Sequence, residues 1–243
     1  MYDALCTEFY NADKKFAQED EINFYKSFFN KDDLILEPMC GSGRLLIPLL
    51  QQGYHIHGVD NSMPMLKSCK DRAIQLKLHP VLYTDSIETM SLPDKYNVIL
   101  IPLGSFQLFY PRELAFQVLQ NLKKHLQIGG KIILDLFVPW DALYENNEEE
   151  MTEKEVILSN GEIIKHKSHN KANKIEQYIF CDSVYTKTSN HKVIASENEH
   201  MYISWYYRYE MELILEKFGF QHVVSQEKFF SDENHMIFIA EAI

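Results

Sequence analysis

Residues 37–60 hold the side chains whose types and spacing could do chemistry: Glu37, Gly41, Gly43, Arg44 and Asp60. Two glycines one residue apart let the backbone pass close to a ligand, because neither carries a Cβ. A carboxylate at the tip of a strand can accept both hydroxyls of a ribose, and Asp60 follows an apolar run. A loop built for a dinucleotide needs glycines spaced G-x-G-x-x-G, so that pyrophosphate sits on a helix N-terminus. Here the third of those positions is Leu46. Glu37 also sets a negative charge beside the loop, which opposes a pyrophosphate and suits a ligand carrying an ammonium or sulfonium.

The elements that must position these residues are readable around them. Leu34 to Leu36 is a short apolar run of buried-strand type, ended by Pro38 and a glycine turn. Residues from Leu45 to Gln52 read as a helix, with Leu45, Leu46, Leu49 and Leu50 on one side and Gly53 as its stop. Ile56 to Val59 is a second strand that ends on Asp60. Strand, glycine turn, helix, strand, carboxylate is the layout of a nucleotide-binding crossover.

Glu37-Pro-Met-Cys-Gly-Ser-Gly-Arg44 together with Val59-Asp-Asn-Ser62 resembles the first and second motifs of class I S-adenosylmethionine-dependent methyltransferases of the small-molecule type. Members with a Glu-Pro-x-Cys-Gly-Ser/Thr-Gly-Arg loop are the most similar. Met39 stands where the family usually has the first of three glycines. The resemblance implies S-adenosyl-L-methionine as cofactor, with Gly41 and Gly43 passing the backbone close to it. Glu37 and Arg44 would brace the loop, and Asp60 would take the ribose. Asn61 is a further candidate contact, and Met63 and Met65 could line an adenine pocket, although a methionine there is more often core filler. At the end of the third strand, Asp85 would accept from the adenine amino group and the Ser86 backbone N–H would read the ring. The backbone carbonyl at Ile101, where the fourth strand ends, would hold the methionine ammonium. Tyr2 and Tyr10 resemble an N-terminal lid in which a Tyr-Asp motif folds over the cofactor; an aromatic lid excludes water and shields a sulfonium. Plain packing is the other account of both tyrosines.

Composition sets the outer limits. A chain of 243 residues can hold one large α/β domain with an insertion. Lys plus Arg is 24 against 35 Asp plus Glu, a formal net charge of −11. A surface that negative repels phosphate backbones, so nucleic-acid partners are not expected. The Asp/Asn-Pro-Pro-Tyr signature of methyltransferases acting on bases is also missing, since Pro102-Leu-Gly-Ser105 occupies its place. Cys6, Cys40, Cys69 and Cys181 show no metal spacing and read as reduced intracellular thiols. No apolar run approaches the ~20 residues that span a bilayer, and no apolar leader opens the chain. A cytoplasmic protein with no membrane partner and no metal is the expectation.

Taken in order, Ile22, Tyr25, Phe28 and Phe29 fall at helical spacing near the start. Asn61-Ser62 can cap a helix over residues 63–77, and Val81 to Tyr83 is a third strand. Asn97 to Ile101 is an apolar fourth strand, Pro111 to Leu126 a helix closed by Gly129-Gly130, and Lys131 to Phe137 the fifth strand. After Val138 the character changes. Glu145 to Glu150 is acidic and reads as a solvated loop. Alternating runs follow at Lys154 to Leu158, Ile163 to Lys167, Ile175 to Tyr185 and His191 to Ser196, with a hairpin signal at Asn160-Gly161. Glu210 to Phe218 is a helix stopped by Gly219, matching the family's final helix, and strands are expected at Gln221 to Phe229 and His235 to Ala242.

The expected fold is α/β: a Rossmann-like, seven-stranded, mostly parallel sheet with helices on both faces, plus an antiparallel β insertion after the fifth strand. Residues 1–138 would form the cofactor-binding core with its lid, 139–201 the cap, and 202–243 the rest of the core. By resemblance the cap covers a small-molecule methyl acceptor, and it can also build a homodimer contact. No residue is an unambiguous base: His166, His169 and His200 lie in or beside the cap, and Arg112, Trp140, Tyr206 and Arg208 are candidates to touch the acceptor. The expected function is methyl transfer to nitrogen or oxygen of a small molecule by in-line displacement. A nicotinamide-dependent oxidoreductase is the rival enzyme, and a non-catalytic cofactor-binding regulatory module the rival outside enzymes.

Overall fold

A computed structural model describes residues 3–14, 16–144, 149–227 and 235–243. Tyr2, most of the acidic stretch before Glu149, and the last two positions of the strand expected to end at Phe229 lie outside the described residues. The main sheet contains β1 (Leu34–Pro38), β2 (His55–Asp60), β3 (Val81–Thr84), β4 (Tyr96–Ile101) and β5 (Leu126–Phe137). The next strands, β6 (Glu149–Ile157), β7 (Ile163–Asn173), β8 (Tyr178–Ser189) and β9 (Lys192–Ser204), form a second sheet, and β10 (Phe220–Glu227) and β11 (His235–Ala242) return to the first.

The order in the main sheet is β10-β11-β5-β4-β1-β2-β3. Strands β1 to β5 pair in parallel, while β11 runs antiparallel to β5 and β10 antiparallel to β11. This is the seven-stranded, Rossmann-like arrangement the sequence implies. Strand order reverses between β1 and β4, and ligands of open α/β sheets bind beyond the strand ends at such a switch.

Both faces of the sheet are covered, which is why its central strands are continuously apolar. Period-2 alternation divides each strand between two cores. Ile35, Val98, Leu100 and Ile133 face helices α2 (Glu19–Lys26), α3 (Leu46–Gln51) and α4 (Met63–Gln75). Leu36, Ile99, Ile132 and Leu134 face α5 (Arg112–His125) and α7 (Arg208–Lys217).

Three local expectations need correction. Gly129-Gly130 does not close α5; β5 starts at Leu126 and runs through both glycines. The pairing with β4 shifts register there, and a Cβ on Gly130 would lie 3.0 Å from the Tyr96 carbonyl oxygen and 3.2 Å from that of Asn97. These glycines serve a bulge with close backbone approach. Helix α2 stops at Lys26, so Phe28 and Phe29 follow it, Phe29 packing edge-on against Tyr54. Strand β9 continues to Ser204, paired with Tyr178, so residues 202–204 belong to the second sheet and not to the approach to α7.

The second sheet is antiparallel, in order β6-β7-β8-β9. One face meets α1 (Ala4–Asp13), where Leu5, Cys6 and Phe9 pack on Val156, Ile164 and Tyr185. The Glu197 carboxylate accepts from the backbone N–H of Leu5 at 2.8 Å and Cys6 at 3.0 Å, satisfying the free donors of a helix start with a negative charge. Lys187 pairs with Glu8 and Lys154 with Asp13, while Asn11 donates to Ser68 of α4 at 2.8 Å. Helix α1 therefore joins the cap to the core. Among the described residues no helix is long and apolar enough to cross a membrane, and no group of three or more potential ligands could hold a metal ion.

Candidate active site

A cleft opens at the switch point, where ligands of open α/β sheets bind. Its floor is Met39 and Gly41 from the loop after β1, with Asp60 and Asn61 from the end of β2. Met65 of α4, then Ile87 and Glu88, form one wall; Ser105, Leu108 and Phe109 form the other. Tyr10 of α1 closes over it.

The loop takes its shape from three left-handed residues, Met39 at φ 58°, Gly41 at 52° and Gly43 at 77°. A Cβ on Gly41 would meet only the Met65 sulfur, at 3.8 Å, so the backbone there faces open space. Gly43 is different. Its added Cβ would lie 2.5 Å from Cys69 Sγ and 2.9 Å from Ile47, and the residue does not border the cleft. Packing of the loop on α3 and α4 requires a glycine here.

Asp60 Oδ2 accepts from Gly41 N–H at 2.9 Å and Oδ1 from Ser62 N–H at 2.8 Å, which fixes the carboxylate across the loop. Each oxygen keeps a second lone pair for a ligand. Burial pushes the Asp60 carboxyl upward, and the N–H groups of Ser62, Gly41 and Asn61 draw it back. Ser62 caps α4, accepting from Met65 N–H at 3.3 Å.

Arg44 ties the loop to α2. Its guanidinium holds Glu21 of α2 through both carboxylate oxygens, a bidentate pair, and its carbonyl accepts from Ala17 N–H at 3.0 Å. Arg72 adds a second brace, donating to the carbonyl and the hydroxyl of Ser42, each at 3.0 Å. Glu37 is 3% exposed, and its Oε2 has no hydrogen-bond partner among the described residues. Burial raises its carboxyl to about 8, with Arg44 opposing and Glu21 and Asp60 adding to the rise. A buried acid in that condition holds its proton at neutral pH.

Of the remaining expected residues, Tyr10, Asn61 and Met65 line the cleft. Asp85 and Ser86 sit just beyond β3, where Asp85 Oδ1 accepts the Ser86 N–H at 2.8 Å; neither borders the cleft, and Ile87 and Glu88 do. Ile101 is buried at the end of β4 and does not line it. Sequence reasoning missed Glu88, Ser105, Leu108 and Phe109, although the last three lie in the loop expected to border the site. Glu21 carried no sequence signal, since its partner is on another element.

A second cleft continues from the first, sharing Met39, Asn61, Glu88, Leu108 and Phe109. Its outer wall is Tyr110 with Glu199, His200, Met201 and Tyr202 of β9, and the Tyr110 and Tyr202 rings stack at 4.1 Å. Among the histidines named from the sequence, only His200 borders it. His166 lies between α1 and the cap, stacked on Tyr185, and His169 pairs with Glu149 on the cap surface. Arg112 is committed to Glu210 and lies 4.7 Å over the Tyr206 ring.

Residues 35–130 match the sequence profile of the family described as Methyltransferase domain. No curated protein matches the chain. Among solved structures, an S-adenosylmethionine-dependent methyltransferase from Clostridium acetobutylicum ATCC 824 superposes with a TM-score of 0.76 at 14% identity, covering 96% of both chains. A sugar N-methyltransferase from Streptoalloteichus sp. gives 0.78 at 14% identity, over 99% of this chain and 93% of that one. An amino pentose methyltransferase from Micromonospora echinaspora gives 0.72 at 14% identity, over 100% and 98%. At these identities the likeness is one of fold. Residues 35–130, which carry the family match, therefore form the part of a Rossmann-like sheet in which a glycine loop and a strand-end carboxylate meet at the switch point.

Proposed function

We propose that the protein transfers a methyl group from S-adenosyl-L-methionine to a nitrogen or oxygen of a small molecule. The observation that carries this reading is Asp60, held by two backbone N–H groups at the end of β2 and facing the cleft beside the open backbone of Gly41. The residues present fit that cofactor. Asp60 would accept the ribose hydroxyls, Gly41 would allow close passage of the backbone, and Met65 with Ile87 would flank the adenine. An ammonium beside the partnerless Oε2 of buried Glu37 would draw off the proton that the free chain holds there and pair with the carboxylate. When bound, the cofactor supplies an electrophilic methyl on a sulfonium.

The chain's own part is to hold donor and acceptor in line and to exclude water. Tyr10 closes over the cleft from α1, and Phe109 with Leu108 stands where the two clefts join. The acceptor would enter through the second cleft, between the core and β9. Glu88 borders both spaces and is positioned to orient an acceptor's polar hydrogen. The solved relatives described as sugar and amino pentose methyltransferases support a small polar acceptor. All four cysteines are free and buried, which supports a reducing, cytoplasmic setting.

The test is a thermal-shift and calorimetry panel with S-adenosylmethionine, S-adenosylhomocysteine, NAD and NADP. A ligand that binds only the folded state at 100 times its Kd stabilises by about 2.7 kcal/mol, which is readily seen. Stabilisation by the two adenosyl compounds alone is expected, and stabilisation by NAD alone would move the protein to the oxidoreductases. Asp60→Asn keeps the shape and removes the charge; it should weaken S-adenosylhomocysteine by tenfold or more, roughly the loss of one charged hydrogen bond. Unchanged affinity would remove the ribose assignment.

A further inference from the structure

Ile87 and Glu88, which wall the first cleft, belong to no helix or strand. They sit in a single helical turn after β3, in which the Ser86 carbonyl accepts from Thr89 N–H at 3.1 Å and from Met90 N–H at 2.8 Å. One turn bonds to itself only at its start, and the carbonyls that follow have no next turn to serve them. Ile87 and Met90 are buried, so their carbonyls need partners from elsewhere in the fold.

Helix α5 supplies them. The Asn121 amide donates to the Ile87 carbonyl at 2.8 Å and to the Met90 carbonyl at 3.0 Å, spending both of its N–H bonds on the turn. One helical turn further on, His125 Nε2 accepts from Leu92 N–H at 3.1 Å, and its Nδ1 lies 2.8 Å from the Asn121 carbonyl oxygen. A donor facing one ring nitrogen and a carbonyl facing the other fix a neutral imidazole with its proton on Nδ1. Both side chains are buried on a helix whose other inward residues, Ala115, Val118, Leu119 and Leu122, are apolar. Neither borders a cleft. On its near side the same segment is tied to β2, where Asp85 N–H donates to the Asp60 carbonyl at 3.2 Å. The wall turn is thus strung between the strand that ends on Asp60 and two polar side chains of α5.

We propose that Asn121, backed by His125, is a positioning residue for the cofactor: it touches no ligand, and it sets where Ile87 meets the adenine and where Glu88 stands between the two clefts. The inference rests on the proposed function, because it needs a base lying against Ile87.

The test is calorimetry of S-adenosylhomocysteine with the full chain and its variants. Asn121→Ala removes both donors and should weaken binding by roughly tenfold, as the turn shifts to bring its orphaned carbonyls to water. Asn121→Ser, a milder change that keeps one donor, should weaken it by roughly threefold. Leu122→Ala, the next residue on α5, empties part of the apolar cluster; it should lower Tm and leave the affinity as it is. S-Ribosylhomocysteine, which keeps the ribose and homocysteine and lacks the base, should compete no worse against Asn121→Ala than against the parent. Unchanged affinity in Asn121→Ala, an equal loss in Leu122→Ala, or an equal loss for S-ribosylhomocysteine would each overturn the proposal while leaving the cofactor assignment intact. A parent chain that does not bind S-adenosylhomocysteine would overturn that assignment and the proposal with it.

Discussion

In the main sheet, β1, β4 and β5 are buried on both faces, and two separate clusters of apolar side chains enclose them. In the cap sheet one face holds a single small cluster against α1, and the other carries a ladder of ion pairs: Lys165 with Glu153 and Glu155, Lys167 with Glu153, and Lys171 with Glu149. Burial of apolar area stabilises by about 25 cal/mol per Å2, whereas exposed ion pairs contribute little. The core can therefore hold a strained glycine loop in place, and the cap depends on its one helix. On the proposed function, the cofactor contacts fall on the first region and acceptor access on the second.

The sharpest way to break this contrast is in the glycine loop. Gly43→Ala forces a left-handed alanine and drives its Cβ into Cys69 and Ile47, so a loss of roughly 4 kcal/mol is expected from strain plus overpacking. Gly129→Ala has the same sign of φ with nothing within 4 Å, and should lose only about 1 kcal/mol. Urea unfolding of the two variants separates packing from conformation. Next comes the cap. Phe9→Ala empties the centre of the α1 cluster and should cost about 3 kcal/mol of local stability. Hydrogen exchange should rise in α1 and β6 to β8 while β1, β4 and β5 stay protected; uniform loss across both sheets would mean that the regions unfold as one.

Glu37 gives a smaller, pH-dependent effect. Its carboxyl is raised from about 4.5 to about 8 in the folded chain, so the folded state binds the proton more tightly than the unfolded state. Its contribution to stability is complete below pH ~4.5 and is lost as pH rises to ~8. Glu37→Gln should remove that part of the slope and raise the ligand-free Tm at pH 8 relative to the parent, as a pH series of thermal melts would show. Smallest of all is Glu153→Gln on the cap surface. Lys165 and Lys167 hold that carboxyl down at about 2, yet the group is fully exposed, and no measurable change in Tm is expected.

How much could be read in advance follows the same division. The turn from Glu37 to Gly43 and the carboxylate at Asp60 are close in sequence, and their spacing alone implies a strand, a turn and a cleft. The main-sheet strands are legible because burial on both faces writes continuous apolar runs. Contacts between distant elements left no such trace. Arg44 braces the loop through Glu21, because α2 passes beside it. The close packing of Gly43 on Cys69 of α4 was likewise not readable from the motif. Strand β9 was cut short because Glu197, Asn198, Glu199 and His200 interrupt apolar alternation; Glu197 is charged because it caps α1, and Glu199 because it meets Cys6. Trp140 of the short helix α6 (Trp140–Tyr144), Tyr206 and Arg208, named from the sequence as candidates to touch the acceptor, line a cleft beside β5 and β11 and not the one along β9; nothing local links His235 to Asp135.

The Glu197 clamp on α1 also orders events during synthesis. The helix and the carboxylate that caps it are 192 positions apart, so α1 is made long before the surface it docks on exists. Closing a loop of that length is slow relative to local pairing. A nascent chain thus completes its glycine loop and β2 carboxylate while α1 is still adrift, and Tyr10 reaches the cleft only after β9 has left the ribosome. The wall that Tyr10 adds to the cleft thus comes later than the loop and the carboxylate it faces.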